Sequence, residues 1–167
     1  MRQLPHVRAA LLLLAALAAQ AALGGDEMKT PGAMVDSSSL KWVDAPPELP
    51  KGAKVAVLEG DPGKPGLFTV RLRAPAGYKV APHWHSKDER LTVLSGALYL
   101  GMGEKLETKK AHELRAGGYH MLPAQEKHYA FTRTITVVQI TGEGPFDIQY
   151  VNPQDNPAAK AANTAAK

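Results

Sequence analysis

Between residues 40 and 152 apolar and polar positions alternate with a period of two rather than 3.6, the pattern of strands with one buried face. Lys54 to Glu59 puts Val55 and Val57 on one face. Leu67 to Arg73 sets Phe68, Val70 and Leu72 against Thr69, Arg71 and Arg73, so the two arginines read as solvent-facing. Leu91 to Leu94, within the run Glu89 to Ser95, is followed by Ala97 to Leu100, His120 to Leu122, Tyr129 to Thr132, Ile135 to Ile140 and Phe146 to Val151. Breakers separate them: Gly60-Asp61-Pro62, Pro75-Ala76-Gly77, Gly101-Met102-Gly103, Gly117-Gly118 and Gly142-Glu143-Gly144-Pro145. Many short strands with Gly/Pro punctuation predict an all-β sandwich or barrel. One stretch, Lys105 to Leu114, also fits a helix, and a charged hairpin loop explains it as well.

The flanks read differently. Arg2 and Arg8 precede an eleven-residue apolar run, Ala9 to Ala19, and small residues come after it. That order is a secretory signal peptide over 1–24, with cleavage after Ala21 or Gly24, and it places the mature protein in the periplasm or outside the cell. The run is too short to cross about 30 Å of hydrocarbon, which takes about 20 helical residues, so no stable membrane anchor is expected after cleavage. Residues 25–39 read as a flexible lead-in that runs on into the prolines Pro46, Pro47 and Pro50, with Trp42 packing the segment down. Residues 40–152 form the barrel, and 153–167 an Ala/Lys-rich tail broken by Pro153 and Pro157.

Composition narrows the chemistry. With 167 residues the chain holds one domain. It has no cysteine, which excludes disulfides, thiolate ligands, a thiol nucleophile and a lipid-modified N-terminal cysteine. The formal charge is +4. Loss of Arg2 and Arg8 leaves 18 basic against 16 acidic residues, interleaved along the chain, and aromatics are 6% of the total. A nucleic-acid binder shows a clustered basic face, so no nucleic-acid partner is expected.

The chemistry-bearing residues are His83-Trp84-His85, Glu89 and His128. Residues two apart on a strand share a face, so His83 and His85 point together and Trp84 points away. Three imidazoles and a carboxylate suit a divalent first-row metal. Gly77, His83, His85, Glu89 and Gly96 at their spacing resemble the first motif of the cupin superfamily, and Gly117, Pro123 and His128 resemble the second. The chain departs from the second motif at two positions: Gln125 stands where glycine is usual and Thr132 where asparagine is usual, which bears on turn geometry and packing. The resemblance implies a single cupin barrel, a double-stranded β-helix or jelly roll. It implies that His83, His85, Glu89 and His128 hold one metal, of which Mn, Fe, Ni, Cu and Zn remain open. Two coordination positions would then be free for water, oxygen or a chelating substrate.

Two functional classes fit. The preferred one is a small-molecule metalloenzyme of dioxygenase, decarboxylase or oxidase, lyase or isomerase type. The other is a non-catalytic, metal-dependent binding or sensing module, and an export signal weighs against a transcriptional sensor. No separate acid or base is identified. Tyr78, Tyr99, Tyr119 and Gln139 are candidates for lining the substrate pocket, while Asp88 reads as a turn residue and His112 and His120 as ordinary strand or loop residues. Outward Trp84 and Leu94 point to a homodimer.

Overall fold

The computed structural model describes residues 32–165; the signal-peptide reading of 1–24 and the start of the lead-in lie outside them. Eleven strands run through the described residues: β1 (Val43–Asp44), β2 (Lys54–Glu59), β3 (Gly66–Ala74), β4 (Lys79–Trp84), β5 (Glu89–Ser95), β6 (Ala97–Met102), β7 (His112–Arg115), β8 (Tyr119–Leu122), β9 (His128–Thr132), β10 (Thr136–Gly144) and β11 (Gln149–Tyr150). They form two antiparallel sheets, one ordered β1-β2-β3-β10-β5-β8 and the other β11-β4-β9-β6-β7. Leu91, Val93, Leu122 and Val138 of the first sheet pack with Leu98 and Leu100 of the second, so the alternation makes a sandwich with one apolar interior.

The differences from the sequence pattern have physical reasons. The glycine-rich run 142–144 reads as a break yet continues β10, which pairs with β3 as far as Gly144↔Gly66. A Cβ at position 142 would meet the Phe68 ring at 3.1 Å, so glycine is there to admit a close neighbour. Gly96, at φ +74°, makes the tight link from β5 to β6, where a Cβ would run into the main chain at Ile135. The stretch that also fitted a helix is a loop ending in edge strand β7. Phe146 to Val151 yields only the two-residue β11; residues 146–148 form a loop that reaches the site.

Both ends of the barrel domain are tied down. The Tyr78 hydroxyl donates to Pro50 O (2.8 Å) and the Tyr150 hydroxyl to Glu48 O (2.7 Å). Ala45 and Leu49 pack on the cluster of Ala53, Ala74, Tyr78, Val80 and Tyr150. The segment read as a C-terminal tail folds into a 3-10 turn, Pro153–Asp155, and a helix α1 (Pro157–Ala165). Asn156 caps the helix by accepting Ala158 N–H at 2.9 Å, proline sits at the first helical position, and alanines with high helix propensity come next.

Candidate metal centre

Strand alternation alone would leave His83 on the face of Lys79, pointing away from the interior. A bulge reverses it. Between Val80↔Ala130 and His83↔His128 the chain takes three steps along β4 for two along β9. A proline, Pro82, lies in this segment, where a ladder donor is not needed. The extra residue flips the parity of the rest of the strand, so His83 turns inward opposite His128, and Trp84 turns outward opposite Gln149. His85 lies just beyond the end of β4, Glu89 is the first residue of β5, and His128 the first of β9. Strand ends thus deliver all four side chains to one end of the sandwich.

There the four are buried. One ring nitrogen from each of His83, His85 and His128 lies within 4.8 Å of those of the other two. Glu89 Oε2 stands 3.6 Å from His85 Nε2 and 3.7 Å from His128 Nε2. Each imidazole is anchored by its other nitrogen: Nδ1 meets the main-chain oxygen of Ala81 for His83 (2.7 Å), of Asp147 for His85 (2.5 Å) and of Glu126 for His128 (2.9 Å). A carbonyl only accepts, so each Nδ1 carries the proton and each Nε2 keeps its lone pair. His85 Nε2 is buried with no hydrogen-bond partner.

Electrostatics keep the imidazoles neutral. Burial holds His83 well below the usual histidine range, and charge on His128 and His85 would push the same way. Burial also lowers His85 and His128, against Asp147 in the first case and Glu89 in the second. Burial raises the Glu89 carboxyl, opposed by His128 and His120. Three neutral donors and a carboxyl that resists ionising in apolar surroundings are groups a cation would satisfy together. The donor set fits a divalent metal: nitrogen and oxygen, no sulfur, each imidazole already fixed in the ligating tautomer.

The loops around the ligands were not legible as such. Phe146 stacks on the His85 ring (4.4 Å between centroids, 19°), and Asp147 Oδ1 accepts from Ser86 N–H (2.8 Å) and from its hydroxyl (2.7 Å). Gln125 N–H donates to His85 O (2.8 Å), and Ala124 N–H to Asp88 Oδ1 (2.9 Å). Asp88 is therefore a turn residue that ties down the loop before His128. Gln125 has φ +67°, keeping the left-handed conformation that glycine serves at that motif position. Thr132, in place of asparagine, donates to Pro75 O (2.6 Å) and accepts from Tyr78 N–H (3.2 Å), pinning the turn that carries Gly77.

Of the four pocket candidates, Tyr78 lines the small cavity inside the sandwich, and Tyr99, Tyr119 and Gln139 lie on outer faces. Tyr78 is buried in the core and holds the lead-in; burial raises its phenol well above the ordinary value, so it acts as a neutral donor. Tyr99 stacks outside on Phe131, under Arg133. Tyr119 is 55% exposed, and Gln139 accepts from Arg71 Nε on the outer face. His120, an ordinary strand residue by sequence, stands in register opposite Leu91 and so on the inner face with Glu89.

The profile of a family described as a domain of unknown function (DUF4437) matches residues 26–160. No curated protein matches the sequence. Among solved structures the chain is similar to the polyketide cyclase RemF from Streptomyces resistomycificus, with TM-score 0.59 and 17% identity over 77% of this chain and 92% of that one. It is similar to a candidate acetylacetone dioxygenase from Methylibium petroleiphilum PM1, at 0.60 and 20% over 80% and 95%. An RmlC-like cupin from Shewanella frigidimarina gives 0.51 and 16% over 65% and 87%. At such identities the likeness establishes the fold, a cupin jelly roll.

Proposed function

Because the chain belongs to the DUF4437 family, and its fold is that of the cupins, we propose that His83, His85, Glu89 and His128 hold one divalent transition metal and that the protein is a small-molecule metalloenzyme. One observation carries the reading: His85 Nε2, buried and without a partner, beside a buried carboxylate. Leaving a buried acceptor unpaired costs about 1–3 kcal/mol, and a cation among the four groups removes that cost. When bound, the metal supplies Lewis acidity toward a chelated oxygen and, if redox-active, an electron path to O₂.

The chain's own residues do the rest. The carbonyls of Ala81, Asp147 and Glu126 keep the three Nε2 atoms aimed inward. Phe146, stacked on His85 and packed against Phe68 (5.2 Å between centroids), excludes water from that side. Two of the similar structures bear the names of a cyclase and a candidate dioxygenase, which favours small-molecule chemistry. Export through the signal peptide, part of the same proposal, would load the metal outside the cytoplasm, where intrinsic affinity favours copper and zinc over manganese and iron.

The test is turnover. Metal-free protein is reloaded with Mn, Fe(II), Ni, Cu or Zn, and O₂ uptake and product formation are measured with diols, oxalate and β-diketones. Turnover with at least one metal, abolished in His128→Ala, is expected. Tight ligand binding with no turnover under any metal would replace the enzyme by a metal-dependent binding module.

A further inference from the structure

What the interior lacks defines what it accepts. Among the described residues the buried polar side chains are His83, His85, Glu89, His128, Thr132 and Thr136. The last two are spent. Thr132 donates to Pro75 O, and Thr136 donates to Ala97 O (3.0 Å) while accepting from Ala97 N–H (3.3 Å). The hydroxyls of Tyr78 and Tyr150 are spent on Pro50 O and Glu48 O, and burial pushes the Tyr150 phenol up to about 12, so it keeps its proton.

No lysine or arginine is buried among the described residues. Near the site the cations are held outside: Arg71 by Gln139, Arg90 by Asp88 (3.3 Å), Lys87 by Glu143 (3.7 Å). One register step along from the His83–His128 pair, Val80 and Ala130 border a small cavity that continues past Leu72, Leu98 and Val138; Tyr78, Thr132 and Thr136 also line it, with their hydroxyls already donated to main-chain oxygens. His120 is the one further inward-facing group near Glu89 able to donate a hydrogen bond.

A further carboxylate or phosphate group in such surroundings would be desolvated with no buried lysine or arginine beside it and only His120 to replace its water, which is unfavourable. Resting on the metal reading above, we propose that the site's ligand chelates through two neighbouring oxygens, carries no charge beyond them, and is otherwise apolar. Dicarboxylates, sugar acids and phosphate esters are excluded; hydroxyketones, diketones and catechol-like diols are admitted. Two oxygens match the two coordination positions that four protein ligands leave in an octahedron.

Acetylacetone and malonate make the comparison, because both chelate in a six-membered ring and differ by methyl against carboxylate oxygen on the outer carbons. Full-length protein is loaded with Co(II), its cobalt content measured, and each ligand titrated against the cobalt absorption band. Each affinity is divided by that of the same ligand for aqueous Co(II). The expected preference for acetylacetone is on the order of 30-fold or more. Met102→Arg puts a cation on the half-exposed position paired with His128, and should narrow that preference at least about tenfold; Val57→Arg, half-exposed and in register through Val70 and Ile140 with Leu91, two residues from Glu89, serves if the first variant loses cobalt. Cobalt taken up with malonate equal or preferred overturns this inference and leaves the metal reading standing. No cobalt uptake by the wild type overturns the metal reading and this inference with it.

Discussion

Asp147 never faces the metal position, yet three of its contacts decide where His85 points. Its carbonyl accepts from the imidazole, Oδ1 fixes Ser86, and Oδ2 takes a hydrogen bond from Gln149 Nε2 (3.1 Å). Asp147→Ala keeps the carbonyl but frees the loop that aims it. Outer partners of ligands are worth about 10–100-fold in metal affinity, so competition with a chelator should show a loss of that size, and Asp147→Asn, which retains the acceptor, should restore most of it. Gln125 holds a conformation that is strained for a side chain. Gln125→Gly should raise stability by about 0.5–1 kcal/mol in urea unfolding, the relief of strain exceeding the added chain entropy. Protons compete with the metal in one direction. The three histidines have folded values below their ordinary 6.5, so the unfolded chain takes up protons first as pH falls below that value, and their contribution to stability is lost toward acid. Glu89 has the opposite sign: burial raises it above 4.5, so the stability of its protonated form is lost as pH rises through the folded value. A metal needs neutral imidazoles and ionised Glu89, so both terms make metal stabilisation grow with pH. The metal-induced rise in Tm should shrink steadily from pH 7.5 to 5.5; a constant rise would contradict the ligand set.

Elements carry the site because strand ends, not strand middles, deliver the four side chains. Most of the framework was legible: period-two alternation located β2, β3, β5, β6, β8, β9 and β10 to within a few residues of their ends. The first glycine of the run 142–144 misled because in a strand it signals a close neighbour, here the Phe68 ring, as readily as a turn. Spacing brought His83, His85, Glu89 and His128 into view together, but the reason given for His83, simple alternation, was incomplete. Its inward parity depends on a bulge set by pairing with β9, and only Pro82 hinted at it. Phe146 and Asp147 were hidden because loop residues that serve a site sixty positions away leave no periodic trace. The tail was underread for a different reason: Asn156-Pro157 leading into alanines is a helix start, outweighed by the prolines around it. Between β6 and β9, Gly101 exists for Tyr129, whose ring occupies the space a Cβ would take and whose hydroxyl donates to Glu107 O (2.8 Å). Gly101→Ala forces that ring out and should cost about 1–3 kcal/mol by denaturant titration, with metal affinity falling less than in Asp147→Ala.

On the scale of the whole molecule, the hydroxyls of Tyr78 and Tyr150 tie the lead-in to the sandwich, and strand ends gather the four buried metal-site side chains. Tyr150 serves both, with its hydroxyl on Glu48 O and its ring 5.9 Å from that of His83. Tyr150→Phe keeps the ring and should lower stability by about 1 kcal/mol without displacing metal, a change readable in paired unfolding and metal assays. Trp84 turns outward opposite Gln149 and is half-buried within the chain, and Leu94 is 40% exposed. The account as a whole rests on one cation among four side chains. Its most direct test is metal analysis of purified, reloaded wild-type protein beside His83→Ala and His128→Ala, with circular dichroism to show that all three are folded. One equivalent of metal in the wild type and a loss of most of it in both folded variants is the predicted result. Full stoichiometry in either variant, or none in the wild type with any first-row ion, would contradict it.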